Sequence, residues 1–368
     1  MTQLKYSYLD EQFSNPDEIF NDLRGLVKSG EFTLGPYVEA FESDFAKYVG
    51  MKHAIGTNTG TDALILCLKG LGIGSGDEVI TVTNTFYATV GAIVAVGAKP
   101  VFVDSDERYS INVSQIEKAI TSKTKAILPV HWAGMPADMA GIMKIADRHG
   151  IPVVEDACPS VGARIDGRHV GSFGKVNGFS MHPLKPLNVW GDGGILVTND
   201  DKIAEWIRTY RNHGMIDRDH IAFWGINNRL QPFQAVVARR VLPTVQDLTE
   251  RRIRNAQQLD HELESLADFI RVPKRPSNMR EVYQLYLVSV KNRDGLLKHL
   301  QERGIEARVH YPLPLHLQPA AKSLGYKKGD FPIAEKQCDE VITLPAHQHI
   351  NPGQISLMVE EIKKFYRK

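Results

Sequence analysis

The strongest constraint on the fold is an alternation of short apolar runs with helical periods in the first half of the chain. Glu78–Val82, Pro100–Val103, Ala126–Val130 and Pro152–Glu155 read as strands, and Thr85–Val96, Ser114–Ile120 and Met139–His149 between them read as helices. Strands joined by helical crossovers pair in parallel, so this pattern predicts an α/β fold on a mostly parallel sheet flanked by helices. In such sheets ligands collect at the carboxyl ends of the strands. Four features fall there: Thr85-Phe86, His131-Trp132, Asp156 and the stretch around Lys185. No Gly-x-Gly-x-x-Gly follows the first strand, which argues against a nicotinamide-dependent dehydrogenase.

The flanking regions read as follows. Residues 15–29 carry Ile19, Phe20, Leu23 and Leu26 at helical spacing, with Gly30 as the stop. Residues 31–37 read as extended and broken by Gly35-Pro36, Val38–Val49 as a helix, and His53–Ile55 as a short strand. Beyond the sheet, Gln231–Val245 and Gln246–Leu266 read as helices and Arg271–Met279 as a loop. Val282–Val290 reads as a strand with Tyr283, Leu285 and Leu287 on one face. Asp294–Arg303 reads as a helix, Ile305–His310 as a strand, and Gln354–Phe365 as a last helix. A chain of 368 residues suggests two units. The expected division is a large domain over 1–245, including the N-terminal segment, and a smaller α+β domain over 246–368.

Charge and cysteine content exclude several classes. The net charge of +1 points to no nucleic acid and no anionic membrane surface as partner. Cys67, Cys158 and Cys338 are too few and too scattered for a disulfide framework or a zinc site, and they fit a reducing cytosol. The first residues, Met1-Thr2-Gln3-Leu4-Lys5-Tyr6, lack the pattern of a secretory leader. Apolar runs such as Gly91–Ala98 fall far short of the ~20 residues that span a bilayer. The expected location is therefore the cytoplasm.

The chemistry centres on residues 178–194, GFSMHPLKPLNVWGDGG. Lys185 stands between Pro183 and Pro186, with apolar neighbours and a run of glycines after it. Prolines stiffen the backbone and remove N–H donors. Glycines let a ligand approach closely. A fixed, partly desolvated lysine has its pKa pushed down and becomes a nucleophile suited to a Schiff base. The alternative is a loop cation paired with a nearby acid.

Three upstream features bear on that choice. In GTNTGTDALILCL, residues 56–68, a turn leads into an apolar helix over Ala63–Leu71. Free N–H groups at a helix start make an anion site, so Thr59, Gly60 and Thr61 are candidate phosphate contacts; the alternative is a cap by Thr61 or Asp62. Asp156 ends an apolar strand, where a carboxylate is costly unless it meets a cation or caps a helix. Phe86, at another strand end, can stack on a flat ring or simply pack the core. Ser180, five residues before Lys185, can reach a phosphate or be an ordinary strand hydroxyl. A Schiff-base lysine with an aspartate for a protonated ring nitrogen is what pyridoxal 5'-phosphate (PLP) needs.

The same order of motifs resembles the fold-type I PLP enzymes, specifically the sugar aminotransferases of the DegT/DnrJ/EryC1/StrS family. Matching stretches include NTGTDAL at 58–64, TFYAT at 85–89, PVHWAG at 129–134, VEDA at 154–157, FSMHPLK at 179–185, GDGG at 191–194, GINNRL at 225–230 and HYPLPLH at 310–316. The resemblance covers almost the whole chain. It implies that Lys185 carries PLP and shuttles the proton. Asp156 would keep the pyridine nitrogen protonated, Phe86 would cover one ring face, and Thr59, Gly60, Thr61 and Ser180 would bind the phosphate. It further implies a homodimer with shared sites, in which Asn227, with Arg229 nearby, reaches the phosphate of the neighbouring subunit. His310, Tyr311 and Arg229 would contact the substrate.

The implied reaction moves an amino group, with glutamate as donor, to a nucleotide-linked keto-sugar. The product would be an amino sugar for lipopolysaccharide, another surface polysaccharide or a secondary metabolite. Gly191-Asp192-Gly193-Gly194 resembles enzymes of 3-keto sugars and RNHG at 211–214 those of 4-keto sugars; the reading leans to 3-keto. A free oxo-sugar acid as acceptor, a PLP-dependent sugar dehydratase and a non-catalytic regulatory protein are the alternatives. A lysine rather than a histidine at 185 argues against the dehydratase. Two departures from the family pattern stand out. Pro159 replaces a Gln or His that bonds the cofactor's ring oxygen, and Pro186 replaces the Asn that usually follows the lysine. Pro159 cannot supply that bond, and a group from the His131–Gly134 stretch is expected to supply it instead.

Overall fold

The structure is a computed structural model that describes residues 4–366; Met1, Thr2 and Gln3, part of the segment read for a leader, lie outside the described residues. Six strands build the central sheet: β1 (His53–Thr57), β2 (Glu78–Val82), β3 (Lys99–Val103), β4 (Thr124–Leu128), β5 (Val176–Ser180) and β6 (Gly194–Thr198). β2 pairs in parallel with β3 on one side and β4 on the other, while β6 pairs antiparallel with both β5 and β1. Parallel bridges at Val153 and Asp156 join the two halves, linking residues 153–156 to β4 and to Gly178 of β5. The order is therefore β3-β2-β4-(153–156)-β5-β6-β1, and only β6 runs against the others. This is the mostly parallel α/β sheet that the alternation predicts.

Residues 152–155 differ from expectation: they occupy a strand position without a regular ladder. Pro129 offers no N–H on one side, and the Glu155 N–H donates to Asn177 Oδ1 at 3.0 Å on the other. The helix expected from Thr85 begins at Tyr87, because Phe86 is extended at the cap. The helix expected at Ala63 begins at Gly60, and its cap is Thr59 rather than Thr61 or Asp62.

A first core packs helices on both faces of the sheet, with Phe41, Phe45, Leu64, Leu66, Ile80, Ile127 and Phe179 inside. A second core joins Leu4 to Ala256, Leu259, Leu300, Val288, Ile355 and Met358. It packs helices Val245–Leu263, Arg293–Glu302 and Pro352–Tyr366 against the strand Tyr286–Val290. That strand is shorter than expected. Residues 282–285 instead bind the turn after β4, with the Val282 and Leu285 N–H groups donating to the Gly134 and Ala133 carbonyls. Tyr283 has φ +47°, which breaks the two-residue alternation and sends its ring into the second core while Leu285 and Leu287 enter the first. The expected strand Ile305–His310 is also reduced to two bridges, Leu4 with Ile305 and Arg308 with Thr343. The first of these ties the N-terminal segment beside the C-terminal part of the chain.

Among the described residues no helix is long and apolar enough to cross a membrane, and no group of three or more His, Cys, Asp or Glu could hold a metal ion.

Candidate active site

At the carboxyl edge of the sheet the loops after β1, β2, β4, residues 153–156 and β5 converge on a cavity of about 660 Å³. Thr59, Gly60, Thr61, Phe86, Asp156, Ser180, Lys185, His310 and Tyr311 all line it. The strand directions bring the first seven together, since five loops leave the same edge, while His310 and Tyr311 come from the C-terminal segment that bridges Thr343 at Arg308.

The first corner is an anion cradle. The helix Gly60–Gly70 starts there, and the Thr59 side chain accepts from the Asp62 N–H at 3.0 Å. The N–H groups of Gly60 and Thr61, at the first turn, have no intrahelical acceptor and concentrate positive potential. Ser180 closes the cradle. A Cβ added at Gly60 would lie 2.5 Å from the Ser180 Cβ, so only glycine allows this approach. Ser180 Oγ accepts from the His182 N–H at 3.2 Å, which leaves its own proton to donate to a ligand.

Asp156 also lines the cavity and is 4% exposed. The Thr89 hydroxyl donates to its Oδ2 at 2.7 Å, and the Cys158 N–H to its Oδ1 at 3.1 Å. Two donors hold the carboxylate in one orientation while lone pairs remain to face a cationic ligand group. Cys158 stands beside it in the wall. Burial pushes its thiol well above the ordinary cysteine value, and the Asp156 charge adds to this.

Lys185 is half-buried, and its amine belongs to the same cavity. Burial lowers its pKa, opposed by the charges of Cys158 and Asp156. The direction favours the neutral, nucleophilic amine. Its loop is pinned through successive carbonyls. Asn188 Nδ2 donates to Pro183 O at 2.7 Å, Gln284 Nε2 to Leu184 O at 3.2 Å, and the Tyr8 hydroxyl to Lys185 O at 3.4 Å. Gln12 Nε2 in turn donates to Asn188 Oδ1 at 2.8 Å. Asn188, fully buried, serves as the polar anchor two places beyond Pro186.

Aromatic rings form the walls. Phe86 lies 3.9 Å from the Tyr87 ring centroid and 6.0 Å from Tyr311, and Tyr311 lies 5.6 Å from Trp132. His310 bonds Thr343 Oγ1 at 2.8 Å and stacks on Tyr6 at 5.8 Å. Burial, with the Arg308 charge second, brings His310 down to about 4, so its ring is neutral near pH 7.

The His131–Gly134 stretch divides. His131 is committed elsewhere: Nε2 bonds Glu155 Oε2 at 2.8 Å, and Nδ1 accepts from the Ala137 N–H at 3.1 Å. Trp132, in the cavity wall, has an indole N–H that is buried with no acceptor.

Two expected site residues are not brought to this cavity. Asn227 is exposed; its Oδ1 accepts from Arg229 Nε at 2.9 Å, and its carbonyl accepts from Asn58 Nδ2 at 3.4 Å. Arg229 also bonds Asn212 Oδ1 at 3.1 Å. Both follow an exposed apolar loop that carries Ile216, Ile221 and Trp224, the last 87% exposed. Conversely, Tyr6, Ser7, Trp132, Gln284 and Arg308 line the cavity. Apart from Trp132, they carry no local motif, and tertiary pairing alone delivers them.

The parts fit PLP. The helix start at Gly60, held close against Ser180, suits a phosphate, and the anchored Asp156 suits a protonated ring nitrogen.

Comparison with known proteins agrees with this geometry. A family model described as the DegT/DnrJ/EryC1/StrS aminotransferase family matches residues 14–363. A pleiotropic regulatory protein of Geobacillus stearothermophilus is 42% identical over 98% of this chain and 97% of that protein. A dTDP-3-amino-3,4,6-trideoxy-alpha-D-glucose transaminase of Streptomyces venezuelae is 40% identical over 92% of this chain and 90% of that protein. Among solved structures, S. venezuelae DesV superposes with a TM-score of 0.97 at 37% identity, covering all of both chains. Bacillus subtilis NtdA with bound cofactor PMP superposes at 0.93 and 28% identity, covering this chain fully and 86% of the other.

Proposed function

Because the chain belongs to the DegT/DnrJ/EryC1/StrS aminotransferase family, we propose that it moves an amino group from glutamate to the 3-position of a nucleotide-linked keto-sugar. The single observation that carries this reading is the convergence of Lys185 and Asp156 on one cavity with the Gly60–Ser180 cradle. The name of the S. venezuelae relative, a 3-amino sugar transaminase, supports the 3-position. Bound in this cavity, PLP supplies an electron sink for the carbon that gains or loses nitrogen. The protein's own groups do the rest. Asp156 holds a proton at the ring nitrogen. Lys185 Nζ would hold the cofactor and, as the free amine, would carry a proton between the reacting carbons. Phe86 covers a ring face, and Thr59, Gly60, Thr61 and Ser180 fix the phosphate. Neutral His310, with Tyr311, orients the sugar.

The regulatory name of the Geobacillus relative favours a second reading, a non-catalytic binding protein. A lysine of lowered pKa beside an anchored aspartate supports the catalytic one. With the enzyme in its aminated form, a 3-oxo nucleotide-sugar should be converted faster than the 4-oxo isomer, as read by product NMR. Faster conversion of the 4-oxo isomer would contradict the 3-position.

The reading includes a homodimer in which Asn227, beside Arg229, completes the partner's phosphate site. The exposed apolar loop with Trp224 supports such an interface. Asn227→Ala should weaken PLP binding about tenfold, the value of one good hydrogen bond to an anion. An unchanged affinity in a protein that sediments as a dimer would refute the shared contact. The second core beginning at Ala256 supports a domain division near Val245, and three free cysteines support a reducing compartment. An amino sugar of this kind would enter a surface polysaccharide or a secondary metabolite.

A further inference from the structure

The cavity wall holds a second cation that the chemistry above does not use. Arg308 lines the cavity together with Lys185, His310 and Tyr311. Its backbone is fixed, since its N–H donates to Thr343 O at 3.0 Å and its carbonyl accepts from the Thr343 N–H at 2.8 Å. Its guanidinium lies over the Tyr6 ring at 5.1 Å, which supports the side chain from one face. Its charge partner is Glu306, whose Oε2 lies 3.7 Å away, within ion-pair range but beyond hydrogen-bond range, and already accepts from the Tyr6 N–H at 3.0 Å. Among the described residues no group accepts a hydrogen bond from this guanidinium, and 54% of the side chain is accessible. A positioned planar fork of N–H donors, open toward a cavity, matches the two oxygens of a carboxylate.

Resting on the aminotransferase reading, we propose that Arg308 is a specificity-determining residue that pairs with a substrate carboxylate. Two such groups can enter the cavity in turn. One belongs to the amino-acid donor, and the other to an acceptor whose sugar ring is a uronic acid. A neutral hexose offers the fork no charge to pair, so the chemistry recognised is the carboxylate itself.

The test compares wild type with Arg308→Met, which keeps an apolar stem over Tyr6, and Arg308→Lys, which keeps the charge without the fork. Calorimetry on the PLP-loaded proteins measures the dissociation constants of glutarate, of UDP- and dTDP-glucose, and of the matching glucuronates. Arg308→Met should weaken one or both classes of acid by about tenfold or more and leave the neutral sugars unchanged, with Arg308→Lys between; loss of both assigns Arg308 to donor and acceptor in turn. A loss confined to glutarate assigns Arg308 to the donor, and a loss confined to the glucuronates assigns it to the sugar. Equal affinities of wild type and Arg308→Met for both acids overturn the proposal. Failure of the nucleotide-sugar reading would show differently, as a wild type that binds neither neutral nucleotide-sugar.

Discussion

Lys185→Ala is expected to abolish amino transfer, a fall of at least about 10⁴-fold, because it removes both the proposed nucleophile and the proposed proton carrier in one substitution; proton transfer by a positioned group alone contributes about 10²–10⁴. The fold should be unaffected. The loop is pinned by contacts to the carbonyls of Pro183, Leu184 and Lys185, made by Asn188, Gln284 and Tyr8, and none uses the lysine side chain. Turnover with glutamate and a keto-sugar measures the loss. A thermal melt equal to that of the wild type separates it from unfolding. Residual turnover within tenfold of wild type would show that another group carries the chemistry.

Asp156→Asn should lower turnover by about 10²–10³-fold, the usual cost of removing one preorganised electrostatic contact to developing charge. The substitution keeps the shape of the side chain. The Cys158 N–H can still donate to the amide oxygen, and the Thr89 hydroxyl can turn its proton toward Thr85 Oγ1, 3.2 Å away, and accept from the amide. What disappears is the negative charge that, in the proposed role, would keep the ring nitrogen protonated and the ring an electron sink. PLP affinity, measured separately, should fall less than turnover. If turnover is unchanged, Asp156 does not serve the ring nitrogen.

Much of this architecture is legible in the sequence because its signals are local. β2 and the helix Met139–His149 coincide with expectation, since turn residues bound the first and Asp138 and Gly150 cap the second. Asp156 and Ser180 sit at strand ends and Lys185 in the loop that follows Ser180, and the strand pattern places strand ends at one edge. What the sequence hides is long-range. Leu4 pairs with Ile305 across the whole chain, and this places Tyr6 and Ser7 in the cavity. Gln12, Tyr8 and Gln284 anchor the lysine loop without any spacing relative to it. Arg308 falls in a segment read as plain strand. His131 looks available beside Asp156, yet Glu155, one residue earlier, holds it. Asn227 and Arg229 keep a recognisable motif, but a single chain leaves them away from its own cavity.

The most direct test of the central claim is the visible spectrum of the PLP-loaded protein during addition of glutamate, recorded side by side for wild type and Lys185→Ala. The account predicts a yellow wild type whose visible band is lost as the cofactor is aminated, and a Lys185→Ala protein that fails to make that conversion. A wild type that stays yellow under saturating glutamate, or a variant that bleaches as fast as wild type, would contradict the claim that this cavity performs amino transfer through Lys185.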